Sequence, residues 1–158
     1  MEKLLFFNQT IRPVRSTDMN AISELEDASF KDPFPLYFLS QLADANPDTF
    51  LVAEVNGKVV GYAVVDNWTD QQHLVSIAVS AGLRRKGIAQ ALLDEIVGRL
   101  RAGTLGLEVR KSNAAAIKLY HKNGFTDTGV AHSYYKDGED AIQMEKLIER
   151  KTEILTPA

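Results

Sequence analysis

The run Ile77-Ala78-Val79-Ser80-Ala81-Gly82-Leu83-Arg84-Arg85-Lys86-Gly87-Ile88-Ala89 carries the clearest chemical pattern in the chain. A short apolar strand leads into a turn, three cations and a glycine, and then into the start of a helix. The first N–H groups of a helix have no partner within it and carry partial positive charge, so they bind anions. Glycine lets an anion come close to the backbone, and Arg and Lys add charge-assisted bonds. Together these residues point to a ligand that carries phosphate or pyrophosphate.

Three further side chains have types suited to proton transfer. Glu108 lies in Leu105-Gly106-Leu107-Glu108-Val109, where strand alternation puts the three apolar residues on one face and Glu108 on the other. On the residues alone it is either an ordinary exposed or ion-paired carboxylate or a catalytic one. His73 opens another strand, and an imidazole titrating near neutrality suits proton transfer, although a lone strand histidine also serves as polar filler. Tyr120 follows Asn113 by seven residues with Ile117 between them, which places all three on one helical face. Its plain alternative is a core aromatic with a satisfied hydroxyl. His73, His121 and His132 lack metal-ligand spacing, so no metal is expected, and His121 and His132 read as surface residues.

The elements that would position these groups are legible in order. Ile11 to Val14 reads as a first strand, followed by Ser16-Thr17-Asp18 as an N-cap for a helix with Ile22, Leu25 and Ala28 on one face. Pro33 and Pro35 interrupt the chain, and a second helix carries Phe38, Leu39 and Leu42. Phe50 to Val55 and Val59 to Val65 are strands joined by Asn56-Gly57, a strong hairpin signal. His73 to Val79 is the strand entering the cationic turn. The next helix shows Ile88, Leu92, Ile96 and Leu100 at helical spacing and ends near Gly103. A strand at Leu105 to Val109 precedes a helix capped by Ser112-Asn113 and stopped by Asn123-Gly124. A strand from Phe125, a turn at Asp137-Gly138 and a strand from Ala141 to Met144 complete the order. The residues from about Ile148 onward read as a frayed helical tail. The pattern is a mixed α/β sheet with helices on both faces, without the Gly-x-Gly-x-x-Gly or Gly-Lys-Ser/Thr phosphate loops.

At 158 residues the chain fits a single domain with a real core. A net charge of -3 argues against bulk nucleic-acid binding. The absence of cysteine excludes disulfides, thiolate metal sites and a cysteine nucleophile. No apolar run approaches the ~20 residues of a membrane span. Met1 to Phe7 is too short for a signal peptide, so a cytoplasmic protein is expected.

Arg84-x-x-Gly87-x-Ala89 after an apolar strand resembles the GNAT superfamily of N-acetyltransferases. So does the block Leu107-Glu108-Val109-Arg110-x-Ser112-Asn113-x-x-Ala116-x-x-Leu119-Tyr120-x-x-x-Gly124-Phe125. Tyr134-Tyr135-x-Asp137-Gly138-Glu139-Asp140-Ala141 is similar to the branch that acetylates protein N-termini. That branch includes the bacterial ribosomal-protein-alanine acetyltransferases and the archaeal and eukaryotic NatA-type catalytic subunits. The resemblance runs from Ile11 to about Leu147. It implies a GNAT domain over residues 9–148, with residues 149–158 as a C-terminal tail, and a sheet splayed between its fourth and fifth strands.

The resemblance also implies a cosubstrate and roles. Acetyl-CoA would lie in the splay, its pantetheine arm against Ile77, Ala78 and Val79, with no metal involved. Arg85, Lys86, Gly87, Ile88, Ala89 and Gln90 would hold the pyrophosphate, with Arg84, also cofactor-binding, at the family's Gln/Arg position, and Asn113 and Tyr120 would flank the arm near sulfur. Glu108 takes the general-base position, His73 that of a second base, and Tyr120 that of a donor to the departing CoA sulfur. Phe34, Tyr134 and Tyr135 match peptide-groove positions, and Asp32 lies near a residue associated with choice of the first substrate residue.

The implied partners are protein or peptide N-termini, with the ribosome or an auxiliary subunit as further partners, and neither nucleic acid nor membrane. Two alternatives stay open at this point. One is an acetyltransferase for lysine side chains or small-molecule amines; the other is an acyl-CoA-binding module without turnover.

Overall fold

The computed structural model describes residues 9–68 and 70–150. Seven strands form one sheet in the order β1-β2-β3-β4-β5-β7-β6. They are β1 (Gln9–Pro13), β2 (Phe50–Val55), β3 (Lys58–Asp66), β4 (Gln72–Val79), β5 (Gly103–Arg110), β6 (Thr126–Ala131) and β7 (Ala141–Ile148). Among the described residues there are four α-helices: α1 (Met19–Ser29), α2 (Leu36–Ala45), α3 (Ile88–Gly98) and α4 (Ala114–Lys122). All neighbouring strands run antiparallel except β4 and β5, which are parallel. The expected mixed sheet with helices on both faces is observed.

Strand alternation divides the core into two clusters. Leu51, Ala53, Ala63, Val65, Leu105 and Leu107 face α3, which contributes Ile88, Leu92, Leu93 and Ile96. Phe50, Val52, Tyr62 and Val64 face the other way, against Ile22 of α1 and Leu39 and Leu42 of α2. Burying each large aliphatic side chain contributes about 1.5–3 kcal/mol, so both helix layers are held mainly by these contacts. β2 and β3 are covered on both faces and read as nearly continuous apolar runs.

The sheet opens between β4 and β5. These strands pair only at Gln72 with Leu105 and at His73 with Gly106. A bulge bends β4 just beyond: Val64 pairs with Ser76 but Val65 with Leu74, leaving Val75 as the extra residue. The bulge also changes which face each β4 side chain meets. Leu74 and Ile77 pack with the α3 cluster, while Val75 packs with the α1–α2 cluster and Ser76 bonds to Glu26 of α1. The expected splay is therefore present, and it has a local cause in the strand.

Some expectations need correction. Ser16–Asp18 forms a 3₁₀ turn and does not cap α1 with a side chain. Asp18 instead accepts the Arg15 N–H at 2.7 Å and binds the Arg12 guanidinium at 2.8 Å, which pins β1 to the turn. α3 ends at Gly98, before the expected Gly103, because Arg99 and Leu100 close with bonds to the carbonyls three residues back. Leu100 is buried in the core but beyond the helix, and Gly103 opens β5 with φ +141°. The last strand extends past Met144 to Ile148, which is buried. Of the expected tail, residues 151–158 lie outside the described residues, as do Met1 to Phe7.

Candidate functional site

The splay holds a cavity of about 470 Å³. Its floor comes from β4 and β5, one wall from α1 and the α1–α2 loop, and the others from α4 and the β6–β7 turn. Among the expected site residues, Asp32, Phe34, His73, Ile77, Ala78, Val79, Arg84, Ala89, Glu108, Asn113, Tyr120, Tyr134 and Tyr135 line it. Arg85, Lys86, Gly87, Ile88 and Gln90 lie outside its lining.

One end of the cavity is built from backbone and cation. β4 has no strand partner on its β5 side beyond His73, so that edge of Ile77–Val79 is not used by the β4–β5 ladder. Arg84 folds back, its Nε donating to the Val79 carbonyl at 3.1 Å, and this ties the cationic turn to the end of β4. Arg85 and Gly87 both adopt left-handed backbone, φ +62° and +84°. Gly87 stands at the N-cap of α3, where no side chain caps the helix. A Cβ at Gly87 would meet nothing within 4 Å, so glycine is needed there for conformation, not for space. The result is a helix N-terminus beside two basic residues, able to accept an anion. Ile88 is buried in the core and can offer only its backbone. Gln90 is engaged with Asn123 and Asp94 through its amide, away from the cavity.

The middle of the cavity is bounded by α4. Asn113 caps this helix, its Oδ1 accepting the Ala116 N–H at 3.2 Å, which leaves its side-chain N–H groups for other partners. Tyr120 is buried, edge-on to Phe125 at 5.5 Å between ring centres. Its hydroxyl has no hydrogen-bond partner among the described residues. Burial pushes this phenol well above its ordinary range, so it stays protonated.

The other end carries a coupled pair. His73 Nε2 lies 2.7 Å from Glu108 Oε1, the two approaching from strands that are neighbours only at this point. The bond to Glu108 raises the His73 imidazole above its ordinary value, and the same bond holds the Glu108 carboxyl below its own. An ionised Glu108 accepts only, so Nε2 carries the proton and neutral His73 keeps its lone pair on Nδ1. The Tyr134 hydroxyl donates to the same Glu108 oxygen at a long 3.4 Å. Tyr134 and Tyr135 meet edge-to-face at 4.9 Å, and burial pushes the Tyr135 hydroxyl up to about 12.

The Asp32 carboxylate is held by Arg110, at 3.0 Å. The same guanidinium binds Asp137 and Glu139 of the β6–β7 turn and lies 4.0 Å over the Tyr135 ring. Phe34 packs on Phe38 and donates its backbone N–H to Glu26 at 3.0 Å. His121 and His132 bond Asp127 and Asp140 on the exposed surface, as expected.

Two residues of the site went without a role in the sequence reading. Arg110 is two positions past Glu108 on the same strand, so alternation alone puts it beside that carboxylate. Glu26 is four residues past Ile22, on the buried face of α1. Among the described residues no cluster of His, Asp or Glu could hold a metal ion, and no helix is long and apolar enough to cross a membrane.

The sequence and the fold have counterparts among known proteins. Residues 19–125 match the Acetyltransferase (GNAT) family. The N-alpha-acetyltransferase of Sulfurisphaera tokodaii is 37% identical over 150 residues, covering 85% of this chain and 90% of that protein. The ribosomal protein bS18-alanine N-acetyltransferase of Escherichia coli is 34% identical over 141 residues, covering 85% of this chain and 95% of its own. Among solved structures, Ard1 from Thermoplasma volcanium superposes with a TM-score of 0.86 at 27% identity, over 90% of this chain and 99% of that one. With the family match over residues 19–125 and relatives at 34% and 37% identity along most of its length, the chain belongs to the GNAT family of acetyltransferases.

Proposed function

We propose that this protein transfers the acetyl group of acetyl-CoA to the N-terminal α-amine of proteins or peptides, by direct attack in a ternary complex. The observation that carries the reading is one continuous cavity with two chemically different ends. Arg84 and Ala89 line one end, beside the α3 N-terminus where Arg85, Lys86 and Gly87, just outside the lining, suit a pyrophosphate, and at the other end the His73–Glu108 pair suits a proton leaving an amine. Names of similar proteins support the choice of acceptor, since they specify N-alpha and ribosomal-protein-alanine acetylation.

On this reading Gly87 and the first N–H groups of α3, at Ile88, Ala89 and Gln90, receive the pyrophosphate. The edge of Ile77, Ala78 and Val79 receives the pantetheine arm, flanked by Asn113 and Tyr120. The acceptor enters between Phe34 and Asp32 on one side and Tyr134 and Tyr135 on the other. An α-ammonium gives its proton to the His73–Glu108 pair, and the amine nitrogen then attacks the thioester carbonyl. The tetrahedral intermediate collapses as its nitrogen gives up its second proton to the departing sulfur and the C–S bond breaks, so CoA leaves as the thiol with the Tyr120 hydroxyl hydrogen-bonded to that sulfur. With no cysteine in the chain, a cysteine-bound acyl intermediate is excluded.

The acceptor's acidity favours this choice. An α-amino group has a pKa of about 7.7–8.0 against about 10.4 for lysine, so its deprotonation costs about 3.4 kcal/mol less. A hydrogen-bonded imidazole can meet that demand near neutral pH. Cytoplasmic location belongs to the same proposal, with N-termini delivered as free protein, on the ribosome or through an auxiliary subunit. Incubation of acetyl-CoA with short peptides beginning Ser, Ala or Met-Leu, read by mass spectrometry, tests the reading. Acetylation confined to polyamines or other small amines would replace it, and tight CoA binding with no transfer to any acceptor would make the protein a binding module.

A further inference from the structure

Glu26 is almost wholly buried, at 1% exposure, yet no cation among the described residues pairs with it. Its carboxylate is filled by donors from three separate elements. Oε1 accepts the hydroxyl of Tyr62 on β3 and that of Ser76 on β4, the latter at 2.8 Å. Oε2 accepts the backbone N–H of Phe34, in the loop between α1 and α2, at 3.0 Å. A buried carboxylate without a countercharge is costly unless its oxygens are satisfied, and here three donors converge on it.

The location of those donors gives the arrangement meaning. Ser76 reaches Glu26 only because the β4 bulge turns Val75 and Ser76 to the same face. That bulge is also where β4 starts to part from β5. Phe34 sits two residues past Asp32, which Arg110 holds from the opposite side. The short loop is thus pinned twice, once to the sheet floor through Glu26 and once to the far wall through Arg110. Glu26 itself lines the cavity on the side of Phe34.

We infer that Glu26 is a positioning residue for the acceptor: it fixes the α1–α2 loop at a set distance from the bulged strand, and so sets the width of the acceptor entrance. The inference rests on the reading of this end of the cavity as the acceptor end. Glu26 does not contact the His73–Glu108 pair, so its loss moves acceptor affinity and leaves the proton-transfer step intact. Hydrogen-bond geometry, not charge, does the holding. A glutamine can accept from the Phe34 N–H with its oxygen and donate to the Tyr62 and Ser76 hydroxyls with its amide.

The test compares steady-state kinetics of wild type, Glu26→Ala and Glu26→Gln with a peptide acceptor, and checks folding by thermal melting. Glu26→Ala is expected to raise the peptide KM by about tenfold, with kcat and the acetyl-CoA KM within about twofold and an unchanged pH–rate midpoint. Glu26→Gln is expected to restore the peptide KM to within about threefold of wild type. Should Glu26→Ala fail to fold, Ser76→Ala removes one donor from the same oxygen and is expected to give a smaller rise in peptide KM alone. Equal loss in both KM values, or an unchanged peptide KM in a folded variant, overturns the inference. Absence of peptide acetylation by the wild type overturns the acceptor reading itself, which keeps the two failures apart.

Discussion

Arg110 of β5 binds Asp32 of the α1–α2 loop at 3.0 Å and Glu139 of the β6–β7 turn at 2.8 Å, so one guanidinium joins the two loops that flank the cavity mouth. Its planar fork serves carboxylates on both sides while its face covers Tyr135 at 4.0 Å, a combination that lysine cannot reproduce. Arg110→Lys is therefore expected to raise the peptide KM about five- to tenfold while leaving the acetyl-CoA KM within twofold. Raising the ionic strength should weaken peptide binding in the wild type and much less in the variant. Equal salt sensitivity in both would mean that the clasp does not shape the entrance.

The His73–Glu108 pair predicts a pH dependence with a definite sign. Their mutual bond raises His73 and lowers Glu108. If neutral His73 accepts the amine proton, kcat/KM rises with pH through a midpoint above the ordinary imidazole value near 6.5. Glu108→Gln removes the cause of the raised value, so the midpoint should move down and kcat should fall, by about 10²-fold or more. A pH–rate profile of both proteins checks this, and an unmoved midpoint would dissociate His73 from the limb.

The same pair affects stability. The raised His73 contributes stability fully present below its unfolded value near 6.5 and lost as pH rises through its folded value. The lowered Glu108 contributes stability present above its unfolded value near 4.5 and lost as pH falls through its folded value. The difference in Tm between wild type and His73→Ala should therefore be greatest between these two unfolded values. A difference that is flat across pH would show that the pair is not coupled in solution.

Tyr120 is held protonated by burial, with no protein partner for its hydroxyl among the described residues. Full proton transfer from an ordinary phenol to a thiolate is already uphill by about 2 kcal/mol, and burial makes it worse. Under the proposed function its contribution is then a hydrogen bond to the departing sulfur. Tyr120→Phe should lower kcat by about 10²-fold with little change in either KM, and should leave no new alkaline limb below pH 10. A large rise in acetyl-CoA KM instead would assign the ring to binding.

Gly87 at φ +84° and Arg85 at φ +62° shape the turn before α3. Alanine at Gly87 carries a backbone penalty of about 1 kcal/mol in that conformation, and it tilts the N–H groups that would meet the pyrophosphate. Gly87→Ala and Arg85→Ala should each raise the acetyl-CoA KM several-fold while leaving relative preference among peptide acceptors unchanged. A change in peptide preference without a change in acetyl-CoA KM would overturn the placement.

What was legible in the sequence follows from how local each feature is. Asn56-Gly57 marked the β2–β3 hairpin because both residues must take positive φ, and they do, at +52° and +77°. Alternation placed Glu108 opposite Leu107 and Val109, as the burial of β5 bears out. The β4 bulge left no trace in the sequence, since an extra residue in a strand is defined only against its partner. For the same reason the splay came from resemblance and not from patterning. The α3 terminus was misread because Leu100 continues the apolar spacing after the helical bonds have ended. Glu26 and Arg110 were missed as site residues because each acts through loops distant in sequence, 8 residues from Phe34 in one case and 78 from Asp32 in the other.

The central claim is that the acceptor is an α-amine. A single peptide with a free N-terminus and an internal lysine, incubated with acetyl-CoA and sequenced by tandem mass spectrometry, decides it. One acetyl group on the N-terminal residue, and none on the same peptide after its N-terminus is formylated, is the expected result. Acetylation of the internal lysine, undiminished by the formyl block, would contradict it.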